Sequence, residues 1–221
     1  MPPGRVDLLL DCGRLSAILE HSPEDMVATV QAGLSLAALG AALGRHRQRF
    51  PVDPLGGASR SIGGVLATSA TGPLRFRHGG GRDLLLGLRF VQADGTSTWG
   101  GSKVVKSVTG YDVPKLLVGS FGTLGVIVEA TIRLHAMPPA SGAWLFSFAS
   151  HASAAAFVAG VPDSTLQPER MVVLNGPALK AAARPQARAA VAISVGSSAE
   201  AVESQGGDLR HASQDGRAEP E

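Results

Sequence analysis

Two stretches of this 221-residue chain carry residues whose types and spacing suit the binding of a phosphate or a flat cofactor ring. In the first, Lys106 to Glu129 (KSVTGYDVPKLLVGSFGTLGVIVE), Gly119, Gly122 and Gly125 recur every third residue, with Ser120 and Thr123 between them. The second, Ser59 to Gly72, places Ser59, Ser61 and Ile62 ahead of the pair Gly63-Gly64 and then runs through small residues. Such runs add little to an apolar core, and glycine costs more entropy to order than any other residue. They make physical sense where backbone must come close to a ligand, as in phosphate-binding nests and concave ring sites.

Other chemistries find no matching pattern. The sequence has no G-x-x-x-x-G-K-[ST], no G-x-S-x-G and no strand-linked G-x-G-x-x-G, which argues against a P-loop, an α/β-hydrolase elbow and a Rossmann site. His21, His46, His78, His135, His151 and His211 lack ligand spacing, so no metal site is expected, and no catalytic residue can be named. Cys12 is the single cysteine, so neither a disulfide framework nor an iron–sulfur cluster held by this chain alone is expected. A net charge of +2 without a basic–aromatic run argues against nucleic acid as a partner. The short apolar run Val6 to Leu10, flanked by Asp7 and Asp11, is neither a leader nor a membrane span, and the default location is the cytoplasm.

The elements that would position the two stretches follow from periodicity. With 44% hydrophobic and 17% charged residues, the chain has material for a core, and 28 glycines and 14 prolines suggest short elements and tight turns. Val6 to Leu10 and Met26 to Gln31 read as strands. Ser35 is placed to cap a helix in which Leu36, Leu39 and Leu43 share a face. VLATSA suits a short buried helix, and Arg75 to Arg82 reads as a loop. Asp94-Gly95 marks a hairpin between a strand ending near Ala93 and one at Thr96 to Trp99. Asp112 suits the cap of a short helix containing Pro114 to Val118, and Lys106 reads as a surface lysine. From Leu124 to Leu134 the even-numbered residues should face a core and the odd-numbered ones solvent. Beyond Pro138-Pro139 a smaller strand–helix–strand–helix–strand pattern follows, and from about Ser197 the polar, small residues predict a frayed tail.

The segments SRSIGGVLATSATGP, GRDLLLGLRFVQADG and KSVTGYDVPKLLVGSFGTLGVIVEATIRL, taken together and in this order, resemble the second half of the FAD-binding domain of the p-cresol methylhydroxylase/vanillyl-alcohol oxidase (PCMH) family. KSVTGYD is most similar to the FAD-binding E subunit of glycolate oxidase. The resemblance runs from about Val6 to Leu134 and implies an α+β fold with a mixed or antiparallel sheet and helices, followed by a partial α+β cap. It implies an FAD-binding domain over residues 1–138 that lacks the family's first, pyrophosphate-loop subdomain, a cap-like region over 139–196 and a disordered tail over 197–221. By position, Ser59, Ser61, Gly63 and Gly64 match the loop facing the flavin diphosphate and ring, and Ala67, Thr68 and Ser69 match the helix beneath the flavin. Gly122, Thr123, Leu124, Gly125 and Val126 match the segment lining the cofactor's other side. The implied function is the FAD-binding subunit of a glycolate-oxidase-like dehydrogenase acting on a small 2-hydroxy acid. Its implied partners are a paralogous flavoprotein subunit and an iron–sulfur subunit. Two alternatives stand beside it: a non-catalytic interaction subunit of the same complex that has lost flavin, or another FAD-linked oxidoreductase of the same fold.

Overall fold

The structure is a computed structural model that describes residues 6–101, 112–182 and 187–215. It divides into two units, one formed by the chain through Gly72 together with Gly79–Met137, the other by Pro73–His78 together with the chain from Pro138 onward. In chain order the elements up to the second division are β1 (Ile18–Ser22), β2 (Val27–Gln31), α1 (Leu36–Gly44), β3 (Gln48–Arg49), a 3-10 turn at Gly57–Ser59, α2 (Ile62–Ala67) and α3 (Arg75–His78). They continue as α4 (Gly81–Leu84), β4 (Leu85–Val91), β5 (Ser97–Gly101), α5 (Val113–Leu117), β6 (Val126–Arg133) and β7 (His135–Ala136).

The first unit is built on a five-stranded sheet in the order β1-β2-β6-β4-β5, antiparallel at each pairing, with β3 and β7 forming a separate two-stranded ribbon. Its core joins Ala28 and Val30 of β2, Leu39 and Leu43 of α1, Ile62 and Leu66 of α2, Leu88 of β4, and Ala130 and Ile132 of β6. Ser35 caps α1 by accepting from the Ala38 amide at 3.1 Å. The hairpin turn forms at Asp94-Gly95: Gly95 has φ 86°, and the Asp94 carboxylate accepts from the Thr96 amide at 2.8 Å.

Three expectations change here. Val6–Leu10 belongs to no strand among the described residues, and Leu8 and Leu9 are 84% exposed, because an apolar run becomes a strand only when a neighbour completes its ladder. Arg75 to Arg82 is not a loop throughout but contributes the one-turn helices α3 and α4. Along β6, Ile127 is buried in the same core as Ala130, Ile132 and Leu134. The ladder explains it: Arg89 pairs with Glu129 but Phe90 pairs with Ile127, so Val128 is an extra residue that reverses the alternation. The opposite face is not simply solvated either, since Thr131 is fully buried and its hydroxyl meets that of Thr29 at 2.9 Å.

The second unit continues with β8 (Ala140–Phe148), α6 (His151–Gly160), β9 (Arg170–Leu174), α7 (Gly176–Ala181), β10 (Ala189–Ser197) and α8 (Ala199–Asp215). Its sheet runs β8-β10-β9, antiparallel throughout, and its core gathers Phe146, Phe148, Phe157, Val191, Ile193, Val195 and Leu209. The predicted tail is thus corrected up to Asp215, where 17 residues form a helix. A polar sequence hides it because only a narrow stripe is apolar: Val202, Leu209 and Ala212 pack on the core. Gly206 is a notch in that stripe, where a Cβ would stand 2.5 Å from the Trp144 ring. Gly142 clears the ring from the strand side in the same way.

Candidate functional site

The helix expected beneath the cofactor, α2, opens with a strict local logic. Ser61 caps it by accepting from the Gly64 amide at 3.2 Å, while the Ile62 amide donates to the Leu34 carbonyl at 2.9 Å and the Gly63 amide to the Ala32 carbonyl at 2.7 Å. A Cβ on Gly63 would lie 2.7 Å from that of Ala32, so this glycine lets the helix start press on the end of β2. The first amides of α2 therefore have protein acceptors. Ser59 is exposed in the preceding turn, which runs through Gly56 (φ 94°) and Gly57 (φ 71°), and its hydroxyl donates to the Gly56 carbonyl at 3.4 Å.

At its other end α2 meets the glycine-rich segment. Thr68 folds its hydroxyl back onto the Gly64 carbonyl at 2.7 Å, and Ser69 leaves the helix with φ 49°. The Leu66 carbonyl then accepts from the Gly119 amide at 3.0 Å, and the Ala67 carbonyl from the Phe121 amide at 2.8 Å. These two bonds bring together the segments that lie fifty residues apart in the sequence, joining Ala67, Thr68 and Ser69 to the turn that carries Gly122, Thr123 and Leu124. Thr123 locks that turn, donating from its amide at 3.0 Å and its hydroxyl at 2.7 Å to the Ser120 carbonyl. The Ser120 hydroxyl is itself buried, without a hydrogen-bond partner among the described residues.

The glycines of the site divide by what surrounds them. Gly125 (φ 153°) is required by packing, for a Cβ there would stand 2.9 Å from both the Phe90 ring and the Val91 carbonyl. Gly64 is tight only against its own cap, Ser61 Oγ, at 3.0 Å. Gly122 (φ 77°) has nothing within 4 Å of its missing Cβ, so its outer side is open. Leu124 is 47% exposed beside it, and Val126 enters the ladder opposite Val91. An open glycine and exposed apolar atoms leave room for a flat ring on this junction, which also carries two non-glycine residues at positive φ, Ser69 and Phe121. The residues present fit a flavin there. Sequence reasoning does not single out Phe121; Gly119 and Gly122 mark the turn but not which side chain it presents.

Asp112 accepts from the Lys115 amide at 3.3 Å, and its carboxylate meets Lys115 Nζ at 2.7 Å. The Lys115 hydrogen bond lowers its pKa below 3.8, so it caps α5 as an anion. Lys106 and Tyr111 lie outside the described residues. No helix among the described residues is long and apolar enough to cross a membrane.

A family model described as an FAD binding domain matches residues 3–101, a span that includes Ser59 to Ser69 and stops short of Gly122. A D-2-hydroxyglutarate dehydrogenase of Xanthomonas citri pv. viticola is 39% identical over 144 residues, 65% of this chain and 30% of that protein. Glycolate oxidase subunit GlcE of Escherichia coli is 36% identical over 125 residues, 56% of this chain and 36% of that subunit. The chain thus spans about a third of the length of these curated relatives. A solved structure of alkyldihydroxyacetonephosphate synthase superposes with a TM-score of 0.78, covering 92% of this chain and 41% of that one, at 21% identity. That identity carries the fold alone. Residues 3–101 therefore match the FAD binding domain family, in a chain whose α+β fold is that of alkyldihydroxyacetonephosphate synthase, and the match supports FAD as the cofactor.

Proposed function

We propose that this chain is the FAD-holding part of a dehydrogenase that oxidises a small 2-hydroxy acid, of the glycolate oxidase type. The observation that carries the reading is the junction at the end of α2, where the Gly119 and Phe121 amides bond the Leu66 and Ala67 carbonyls beside the open face of Gly122. The named relatives add the substrate class, since one acts on D-2-hydroxyglutarate and another is a glycolate oxidase subunit.

In this reading Ala67, Thr68 and Ser69 form the floor of the flavin site, and Gly122 to Val126 line its side. Ser59 and the turn at Gly56-Gly57 stand at its polar end. Bound FAD supplies a two-electron acceptor for the hydride released from the α-carbon of the 2-hydroxy acid. The chain's own part is to hold and orient: Thr123 fixes the turn, Gly122 leaves room for the ring plane, and Leu124 excludes water from the ring edge. The partners we assign are a paralogous flavoprotein subunit and an iron–sulfur subunit that carries electrons onward. A cytoplasmic location accompanies this reading and agrees with the single cysteine.

The test is anaerobic reduction. The FAD-loaded protein, with its co-purifying subunits, is mixed in turn with glycolate, D-lactate and D-2-hydroxyglutarate, and the flavin absorbance band is followed. Bleaching by at least one of these acids, and not by its L-enantiomer where one exists, is expected. A band that none of the acids bleaches, in a preparation that dithionite does bleach, would refute the assigned reaction.

A further inference from the structure

We infer that Phe121 is a ring-stacking contact for the planar part of FAD, a role that rests on the flavin reading of the α2 junction. Three features of this residue carry the inference. Its φ is 54°, a conformation that L-residues other than glycine, asparagine and aspartate rarely adopt. The residue is 72% exposed, so the strain is not offset by burial in the core. Its backbone is nevertheless fixed, by the amide bond to the Ala67 carbonyl at 2.8 Å and by the Thr123 amide and hydroxyl on the Ser120 carbonyl.

A rigid turn that holds an aromatic ring out into solvent at a backbone cost is a presentation device. Strained positions of this kind gather at ligand sites, where the rest of the fold over-determines them. A second one lies at the same junction: Ser69, at φ 49°, is the residue nearest to where a Gly119 Cβ would project, at 3.4 Å. Gly122, whose outer side is open, follows Phe121 directly in sequence, and Leu124, three residues on, is half-exposed. A flat aromatic ligand satisfies all of these at once, because offset stacking on Phe121 uses its face and the open glycine admits the ligand's edge. An apolar protein partner would use the ring's exposure but would not need the open glycine next to it.

The experiment separates the two roles of the side chain. Apo wild type, Phe121→Gly and Phe121→Tyr are compared by thermal unfolding and by titration with FAD and with FMN, read by flavin fluorescence and calorimetry. Glycine relieves the positive φ and removes the ring, so Phe121→Gly is expected to unfold at a higher temperature than wild type while binding FAD about tenfold more weakly. Phe121→Tyr keeps both properties close to wild type. Equal weakening for FMN assigns the stack to the isoalloxazine, and weakening for FAD alone assigns it to the adenine.

Phe121→Gly binding FAD as tightly as wild type overturns the inference, as does weaker binding that comes with a lower melting temperature. Unchanged FAD affinity with loss of self-association gives the ring to a protein interface and overturns it too. If wild type itself holds no FAD, the flavin reading of the junction falls with it. A wild type that binds, alongside a glycine variant that binds equally, removes only the role of Phe121.

Discussion

The pair Gly122→Ala and Gly125→Ala separates ligand space from packing space within one loop. At Gly125 an added Cβ meets the Val91 carbonyl and the Phe90 ring, each at 2.9 Å, and the residue sits at φ 153°. The carbonyl belongs to the β4–β6 ladder and cannot give way without breaking it. Overpacking of this kind costs roughly 1–3 kcal/mol and the backbone conformation a further 1–3 kcal/mol, so the loss should be about 3–4 kcal/mol. At Gly122 the added Cβ meets nothing within 4 Å, and only the positive φ of 77° opposes it. That strain is worth about 1–2 kcal/mol. Urea unfolding of the apo proteins should therefore rank Gly125→Ala as the more damaged by about 2 kcal/mol, a shift in midpoint with little change in slope. FAD titration should give the opposite emphasis: Gly122→Ala remains folded yet binds FAD at least tenfold more weakly, because its methyl occupies the open side. If Gly122→Ala bound FAD normally, or if it lost as much stability as Gly125→Ala, the division of the glycines drawn here would be wrong.

Further outcomes follow from other contacts. Thr131→Val strands the buried Thr29 hydroxyl and should destabilise by about 1–3 kcal/mol in chemical unfolding, while the double change to valine at both positions recovers most of the loss. In α8, Gly207 has no neighbour within 4 Å of its missing Cβ, so Gly207→Ala should stabilise by about 0.5–1 kcal/mol, the ordinary helix gain; Gly206→Ala, which collides with Trp144, should instead cost about 1–3 kcal/mol, and equal behaviour of the two would contradict the notch. The Asp112 carboxylate has its pKa lowered from 3.8, so its capping of α5 is present above that value and is lost as pH falls through the lower folded-state value. The protection factor of the Lys115 amide, its exchange relative to the intrinsic rate at each pH, should fall on acidification through that range in wild type and show no such step in Asp112→Asn.

Much of the fold could be read from residue patterns because local rules and tertiary contacts agree there. Ser35 and the Leu36, Leu39, Leu43 stripe made α1 visible, Asp94-Gly95 made the β4–β5 turn visible, and Asp112 with Pro114 marked the start of α5. What stayed hidden depended on partners distant in sequence. The bulge at Val128 exists only in the pairing of β6 with β4, so alternation along β6 alone misassigned Ile127. The 17-residue α8 reads as a tail because its residues are mostly polar and small, and the narrow apolar stripe with its notch at Gly206 has meaning only once Trp144 stands against it. In the glycine-rich segment, spacing alone could not say which glycine answers to packing and which faces open space. Gly63 and Gly125 answer to Ala32, Phe90 and Val91, while Gly122 alone of the predicted site glycines faces open space.

The most direct test of the account is the binding of flavin by the protein itself. The purified chain, stripped of ligand, is titrated with FAD in a calorimeter and then passed through a desalting column, and protein-bound flavin is quantified. The account predicts saturable binding at one FAD per chain, with flavin fluorescence altered on binding and weakened by Gly122→Ala. A folded protein that leaves FAD fluorescence unchanged and emerges from the column without flavin would contradict it.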